Sequence, residues 1–72
     1  MKNEIIIVND HNGDIIAIPQ LSYIPNIGEN IAVTNDNCTI EGIVTKVTHS
    51  IEDYYDIGDR RHVDQTVEIR VW

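Results

Sequence analysis

The feature of this sequence that most constrains its fold is a series of short apolar runs rich in Ile, Val and Thr. Such β-branched side chains suit the pleated surface of a sheet better than a helix. Gly, Asn, Asp and Pro separate the runs at strand-sized intervals, and no run has a helical repeat. The sequence therefore predicts an all-β domain, with strands at residues 4–8, 15–18, 31–34, 38–51 and 65–72.

The longest run, CTIEGIVTKVTHSI at residues 38–51, contains two apolar sets that are out of phase. Ile40 and Val44 share one face of a strand, whereas the set that begins at Val47 is shifted by an odd number of residues. Because a shift of one residue turns every side chain to the other face, a regular strand cannot bury both sets. We therefore predict a β-bulge near Thr45–Lys46, which inserts one residue and bends the strand.

From Pro25 onward, the segments PNIGENIAV, GIVTKVTHSI and VEIRVW resemble a layout of small bacterial and phage proteins. In that layout, a Pro-x-x-Gly-Glu/Asp-x-Ile/Val segment opens a compact SH3-like barrel. The resemblance covers about two thirds of the chain and implies a fold without a particular activity. We expect residues 1–72 to form one domain, a small five-stranded antiparallel, SH3-like, partly open barrel with an N-terminal β-hairpin. The alternative is an OB-like barrel, although OB folds usually need a helix and more residues.

The N-terminal hairpin, residues 4–18, is apolar on both of its faces. Asn12-Gly13 supplies the backbone freedom that its tight turn needs. Because a surface strand is normally polar on one face, the second apolar face of this hairpin must be covered. The chain has only 72 residues, which leaves little material for a second layer. We therefore expect a partner, or a second copy of the chain, to contact the hairpin through Ile5 and Ile7.

The charge balance argues against two classes of partner. The chain carries twelve acidic and five basic side chains, a net charge of −7. Nucleic-acid binding depends on Lys and Arg that neutralise phosphates, and anionic membranes likewise attract basic segments. We therefore expect no direct nucleic-acid partner and no membrane partner. An acidic decoy that occupies the nucleic-acid site of a basic protein is compatible with the same charge.

Cysteine usage and hydropathy indicate the compartment. The single cysteine, Cys38, excludes an internal disulfide and a cysteine-rich zinc site. No apolar run approaches the ~20 residues of a membrane span. The segment MKNEIIIVND lacks the features of a signal peptide. These observations favour a reducing cytoplasm, which for a phage-encoded protein is the cytoplasm of the host.

No residue pattern indicates a metal site. In DHNGD, oxygen-bearing side chains alternate as at the start of an EF-hand calcium loop, but Ile15 and Leu21 stand where that loop needs Gly and Glu. His49 and His62 could approach each other if they bracket a loop, with a nearby aspartate as a third zinc ligand. Their spacing is not diagnostic, however, and we expect neither a metal nor a cofactor.

Nor does any pattern indicate catalysis. Ser22, Ser50 and Cys38 have no recognisable nucleophile setting, which needs a base within reach and an oxyanion site. The four glycines are isolated, so the chain has no glycine-rich phosphate loop. We therefore expect a protein that is not an enzyme.

The stretch HSIEDYYDIGDRRH, residues 49–62, is not explained by the strand pattern. A connection from about Ile51 to His62 is long for a hairpin, and long ordered loops are often functional. Tyrosine gives a large contact area at low entropic cost, as recognition surfaces require. We predict a binding loop whose contact residues are Tyr54, Tyr55, Asp53 and Asp56. The alternative is a solvated turn whose carboxylates pair with Arg60 and Arg61.

Together these observations predict a small non-enzymatic module of bacterial or phage origin that acts by binding a partner protein or itself, as an accessory or inhibitory protein would. One alternative is an acidic nucleic-acid mimic that blocks a DNA- or RNA-binding enzyme. Another is a structural component of a phage particle.

Overall fold

The structure, a computed structural model, describes residues 2–72, which form five strands and no helix. The strands are β1 (Lys2–Asn9), β2 (Ile15–Ile18), β3 (Asn30–Asn35), β4 (Cys38–Tyr55) and β5 (Arg61–Val71). They form one sheet in the order β2-β1-β5-β4-β3. The described residues thus include no helix of the length and hydropathy that a membrane crossing requires.

The sheet is mixed, because one of its four pairings is parallel. β1 runs parallel to β5, whereas β1–β2, β3–β4 and β4–β5 are antiparallel. The sequence predicts an antiparallel sheet, and the parallel pairing of β1 with β5 departs from that prediction. The strand order leaves β2 and β3 as the two edges, so the sheet is not closed. The all-β class is confirmed, whereas the SH3-like barrel is not.

The sheet nevertheless curls around one core. β4 contacts β1 and β2, neither of which is its neighbour in the strand order, and its residues Ile40 and Val44 pack with the core side chains of the β1–β2 hairpin. The buried hydrophobic side chains of this core are all aliphatic, and they come from β1, β2, β4 and β5. They are Ile5, Ile7, Ile16, Ile40, Val44, Ile69 and Val71.

The predicted β-bulge in β4 is confirmed. Val44 lies opposite Val71 and Lys46 lies opposite Arg70, which leaves Thr45 as the extra residue. Val47, beyond the bulge, packs against the same core as Val44. The bulge thus brings both apolar sets of the longest strand onto one face, which we call the inner face of the sheet.

The structure covers one face of the N-terminal hairpin with the chain itself. Ile5 and Ile7 are buried in the core, so they are not placed to contact a partner. The outer face of the hairpin carries Ile6 and Val8, which are half-buried, and Ile15, which is exposed. A partner that bound the hairpin would meet this outer face, and such a contact remains a prediction.

Gly42 allows the close approach of two backbone segments. The N–H of Ile43 donates to the carbonyl oxygen of Trp72 (3.1 Å), and the N–H of Trp72 donates in return (3.0 Å). A Cβ atom on residue 42 would lie 2.7 Å from the Trp72 carbonyl oxygen. Because that oxygen belongs to the backbone, it cannot move aside without disturbing this pair of hydrogen bonds.

Gly42→Ala should therefore lower the free energy of unfolding by about 1–3 kcal/mol, the usual cost of overpacking. Gly58→Ala is the matched control, since a Cβ there meets only the Asp56 side chain, at 3.4 Å. We expect a change of at most about 0.5 kcal/mol for the control. Denaturant unfolding followed by the fluorescence of Trp72 measures both variants. Equal effects of the two substitutions would contradict the close approach at Gly42.

Candidate functional site: the β4–β5 arm

The stretch that the sequence leaves unexplained forms a long ordered hairpin. β4 continues to Tyr55 and β5 begins at Arg61, so the predicted loop from about Ile51 to His62 is wrong and only residues 56–60 turn. We call residues 46–67 the arm. β1 pairs with β5 only from Asp64 onward, so the end of the arm extends beyond β1.

The arm makes the molecule elongated. The principal extents are 43 × 25 × 22 Å, and the radius of gyration of the Cα atoms is 14.1 Å. A compact domain of this length has a radius of gyration of about 11 Å. The arm therefore holds surface away from the core, where a binding partner can reach it from both faces.

Asp56 organises the turn at the tip of the arm. Its N–H donates to the carbonyl oxygen of Arg60 (2.9 Å), and its Oδ1 accepts from the N–H groups of Gly58 (2.8 Å) and Arg60 (3.0 Å). Asp59 has a φ of 58°, in the left-handed region. A turn followed by one left-handed residue is a common way to close a hairpin with a three-residue loop. The Asp56 side chain thus fixes the turn by local hydrogen bonds.

The outer face of the arm carries an aromatic stack. Tyr54 lies opposite His62 in the register, with the ring centroids 5.0 Å apart and the ring planes 13° from parallel. His62 Nε2 lies 2.8 Å from Asp56 Oδ2, so this nitrogen donates to the carboxylate when it carries a proton. The hydroxyl of Tyr54 donates to Asp64 Oδ2 (3.3 Å). These contacts connect the two strands of the arm near its tip.

Negative charge surrounds the outer-face stack. The pKa of Tyr54 is raised above its ordinary value, chiefly by the charge of Asp64. The charges of Glu52 and Asp56 raise it to a lesser extent. The pKa of Asp56 is lowered, first by the hydrogen bond from His62 and then by the backbone N–H of Arg60. A shallow depression on the same face is lined by three carboxylate residues and three neutral polar residues: Glu4, Glu52, Asp64, Ser50, Gln65 and Thr66.

The inner face of the arm combines one ion pair with apolar side chains. Arg61 donates to both carboxylate oxygens of Asp53, from Nε to Oδ1 (3.0 Å) and from Nη2 to Oδ2 (2.9 Å). This hydrogen bonding, with the charge of Arg61, lowers the pKa of Asp53. Beside the pair, Ile51 and Tyr55 are each 68% exposed. The inner face of the arm therefore continues the apolar face of the core into solvent.

An open groove marks the point where the inner face of the arm meets the core. Val47 and His49 form its wall on β4, and the segment 24–27 forms the opposite wall. Ile27 in that segment is 67% exposed. The inner face of the arm thus leads into this groove, where exposed apolar side chains alternate with polar ones.

The structure does not bring the predicted contact residues into one patch. Tyr54 and Asp56 lie on the outer face, whereas Tyr55 and Asp53 lie on the inner face, since neighbouring residues of a strand point to opposite faces. Their role as contact residues remains a prediction. Sequence reasoning missed Ile51 as a surface residue, although it stands at even spacing from Val47.

The register also separates the two histidines that bracket the stretch. His49 lies opposite Val67, and His62 lies opposite Tyr54. His49 therefore lies on the inner face and His62 on the outer face, so the two cannot share a metal ion in this arrangement. Across residues 2–72, no group of three or more potential ligand side chains is placed to hold one.

Acid should weaken the tip of the arm through Asp56. A carboxyl group with a lowered pKa stabilises the folded state above its unfolded pKa, near 3.8, and that contribution is lost as the pH falls through the folded pKa. The amide group of Asp56→Asn does not titrate, so this variant should show a smaller fall in Tm between neutral and strongly acidic pH. Asp59→Asn removes a charge from the same turn and should keep the full fall. Equal falls in all three proteins would contradict this role of Asp56.

Comparison with known proteins gives no relative for this chain. No family model, no curated protein sequence and no solved structure matches it. Because no relative suggests a function, the function of this chain must be inferred from the contacts and exposed surfaces of the arm.

Proposed function

We propose that the chain is a non-enzymatic protein-interaction module of bacterial or phage origin that binds another protein chain through the inner face of the arm. The observation that carries the proposal is the pair of apolar side chains, Ile51 and Tyr55, that an ordered hairpin holds 68% exposed. Exposed apolar surface that is continuous and rimmed by polar groups is typical of an interaction site.

The order of the arm supports this proposal. Binding is weakened by the entropy lost when a mobile segment becomes fixed, and a preorganised surface avoids much of that loss. On the inner face, the two-point hydrogen bonding of Arg61 to Asp53 fixes the strands relative to each other. On the outer face, the stack of Tyr54 on His62 has the same effect. Tyr55 is therefore presented on a framework that is already folded.

The proposal retains the SH3-like layout for the chain from Pro25 onward. An antiparallel meander of β3, β4 and β5 with a bulge in its central strand supports that assignment. It also retains a cytoplasmic location, that of the host for a phage-encoded protein, which the use of a single cysteine supports.

The acidic depression on the outer face favours a second candidate function, that of a nucleic-acid mimic. Glu4, Glu52 and Asp64 line this depression, and the raised pKa of Tyr54 reports the same concentration of negative charge. A mimic would bind a basic protein with an affinity that falls steeply with salt. Binding through the apolar inner face would change little over the same range of salt.

Single substitutions of the two tyrosines distinguish the faces of the arm. With the chain immobilised and exposed to bacterial extract and to free copies of itself, Tyr55→Ala should reduce capture by about tenfold or more, as expected for an aromatic anchor. Tyr54→Phe, the matched control on the outer face, keeps the ring that stacks on His62 and should largely retain capture, and circular dichroism should show that both variants are folded. Capture that survives Tyr55→Ala and occurs at low salt only would contradict the inner-face proposal and favour the mimic.

A further inference from the structure

The longest unpaired strand edge in residues 2–72 belongs to β4. β3 pairs with β4 as far as Ile43, and the segment Gly28–Glu29 bonds to Val44. From Lys46 to Tyr55, the described residues contribute no backbone hydrogen bond to that side of β4. An edge strand of this length, with apolar side chains, is a ready template for pairing with another chain.

The hydrogen-bond pattern determines which residues of β4 face this edge. In an antiparallel ladder, hydrogen-bonded and non-hydrogen-bonded pairs alternate. The N–H of Asp56 donates to the carbonyl oxygen of Arg60 at the tip. The even-numbered residues of β4 within the arm therefore form their backbone hydrogen bonds with β5. The odd-numbered residues, Val47 to Tyr55, therefore direct their N–H and C=O groups at the free edge.

We propose that two copies of the chain pair antiparallel through this edge, with the two-fold axis at Ile51. The proposal rests on the proposed function and names a second copy as the partner chain. An antiparallel arrangement of two identical strands is self-complementary, as a two-fold interface requires. The result is a sheet that continues from one copy into the next through two adjacent arms.

Side-chain complementarity selects this register. On the inner face, it places Ile51 opposite its own copy, Val47 opposite Tyr55 and His49 opposite Asp53. On the outer face, it places Lys46 opposite Asp56, Thr48 opposite Tyr54 and Ser50 opposite Glu52. No two like charges oppose each other, and apolar residues meet only apolar or aromatic ones.

Neighbouring registers fit less well. An axis at Glu52 would place two carboxylates directly opposite each other, which is destabilising. An axis at His49 would place residues 53–55 against residues 43–45, where the N–H and C=O of Val44 are already bonded to Glu29 and Gly28. Only the axis at Ile51 uses the free edge along its whole length without like-charge pairs.

The groove at the base of the arm fits one feature of this register. Tyr55 of the second copy would lie beside Val47, at the groove that the segment 24–27 also lines. The groove has a volume of about 540 Å³, which is ample for a tyrosine ring. Pairing would thus cover Tyr55 and Ile27, two of the large hydrophobic side chains that a single copy leaves exposed.

The other edges of the sheet are less suited to self-pairing. β2 has four residues and is followed by Pro19, which has no N–H to donate. β3 has six residues, and the segment 21–25 lies alongside Asn30 to Val33. The free part of β4 is longer than either strand and carries the exposed apolar side chains.

Proline at position 51 tests the pairing directly. The N–H of Ile51 faces the free edge, so Ile51→Pro removes no bond to β5, and edge strands tolerate such a residue. By analytical ultracentrifugation, the wild type should change from monomer to dimer with concentration, whereas Ile51→Pro should remain monomeric. Ile57→Pro is the matched control, since Ile57 is exposed at the tip where the turn accommodates proline. It should dimerise like the wild type.

A cross-link keeps the proposal testable if Ile51→Pro fails to fold. Hydrogen-bonded antiparallel pairs have Cα atoms about 5.5 Å apart, within disulfide range. In a Cys38→Ser background, Ile51→Cys should form a disulfide-linked dimer on mild oxidation much faster than Ile57→Cys. A wild type that stays monomeric at high micromolar concentration, or equal cross-linking at both positions, would overturn self-pairing. Tyr55-dependent capture of a different protein would then still support the proposed function.

Discussion

The bulge at Thr45 is the constraint on which the rest of the structure depends. Without the extra residue, β4 could bury Ile40 and Val44 or extend the same apolar face through Val47, but not both. With the extra residue, β4 packs against the core in its first part and then continues as one of the two paired strands of the arm. The exposure of Ile51 and Tyr55 follows from that continuity, because they stand on the same face as Val47 but beyond the end of the core.

Different interactions stabilise the core and the tip of the arm. Aliphatic packing of seven buried side chains holds the core. The tip of the arm has no such packing, and it is ordered by directional contacts: the Asp56 hydrogen bonds, the Tyr54–His62 stack and the Arg61–Asp53 pair. Asp53 and Asp56 therefore have a structural role in the arm, and their contribution depends on pH. We therefore expect acid and salt to weaken the arm more than the core.

The sequence predicts the core better than the arm. The spacing of the apolar residues in β4 and β5 is sufficient to locate the bulge and to place Val67, Ile69 and Val71 on one inward face, because burial imposes strict alternation. The parallel pairing of β1 with β5 was not predictable in this way, since an IIIV run is apolar on both faces and does not encode the direction of its neighbour. The sequence predicts a loop at this place because Glu52 to Tyr55 lack apolar alternation. Their strand structure comes from cross-strand contacts with partners eight to ten residues away, which composition does not reveal.

Amide hydrogen exchange along β4 tests the central claim, that the arm is an ordered hairpin whose free edge pairs with another copy. In dilute solution, the N–H groups of Thr48, Ser50, Glu52 and Tyr54 should exchange slowly, because β5 protects them. Those of Val47, His49, Ile51 and Asp53 should exchange fast, and they should become protected as the protein concentration rises. Uniformly fast exchange from residue 49 to residue 62 would contradict the ordered hairpin, and an alternation that does not change with concentration would contradict the pairing.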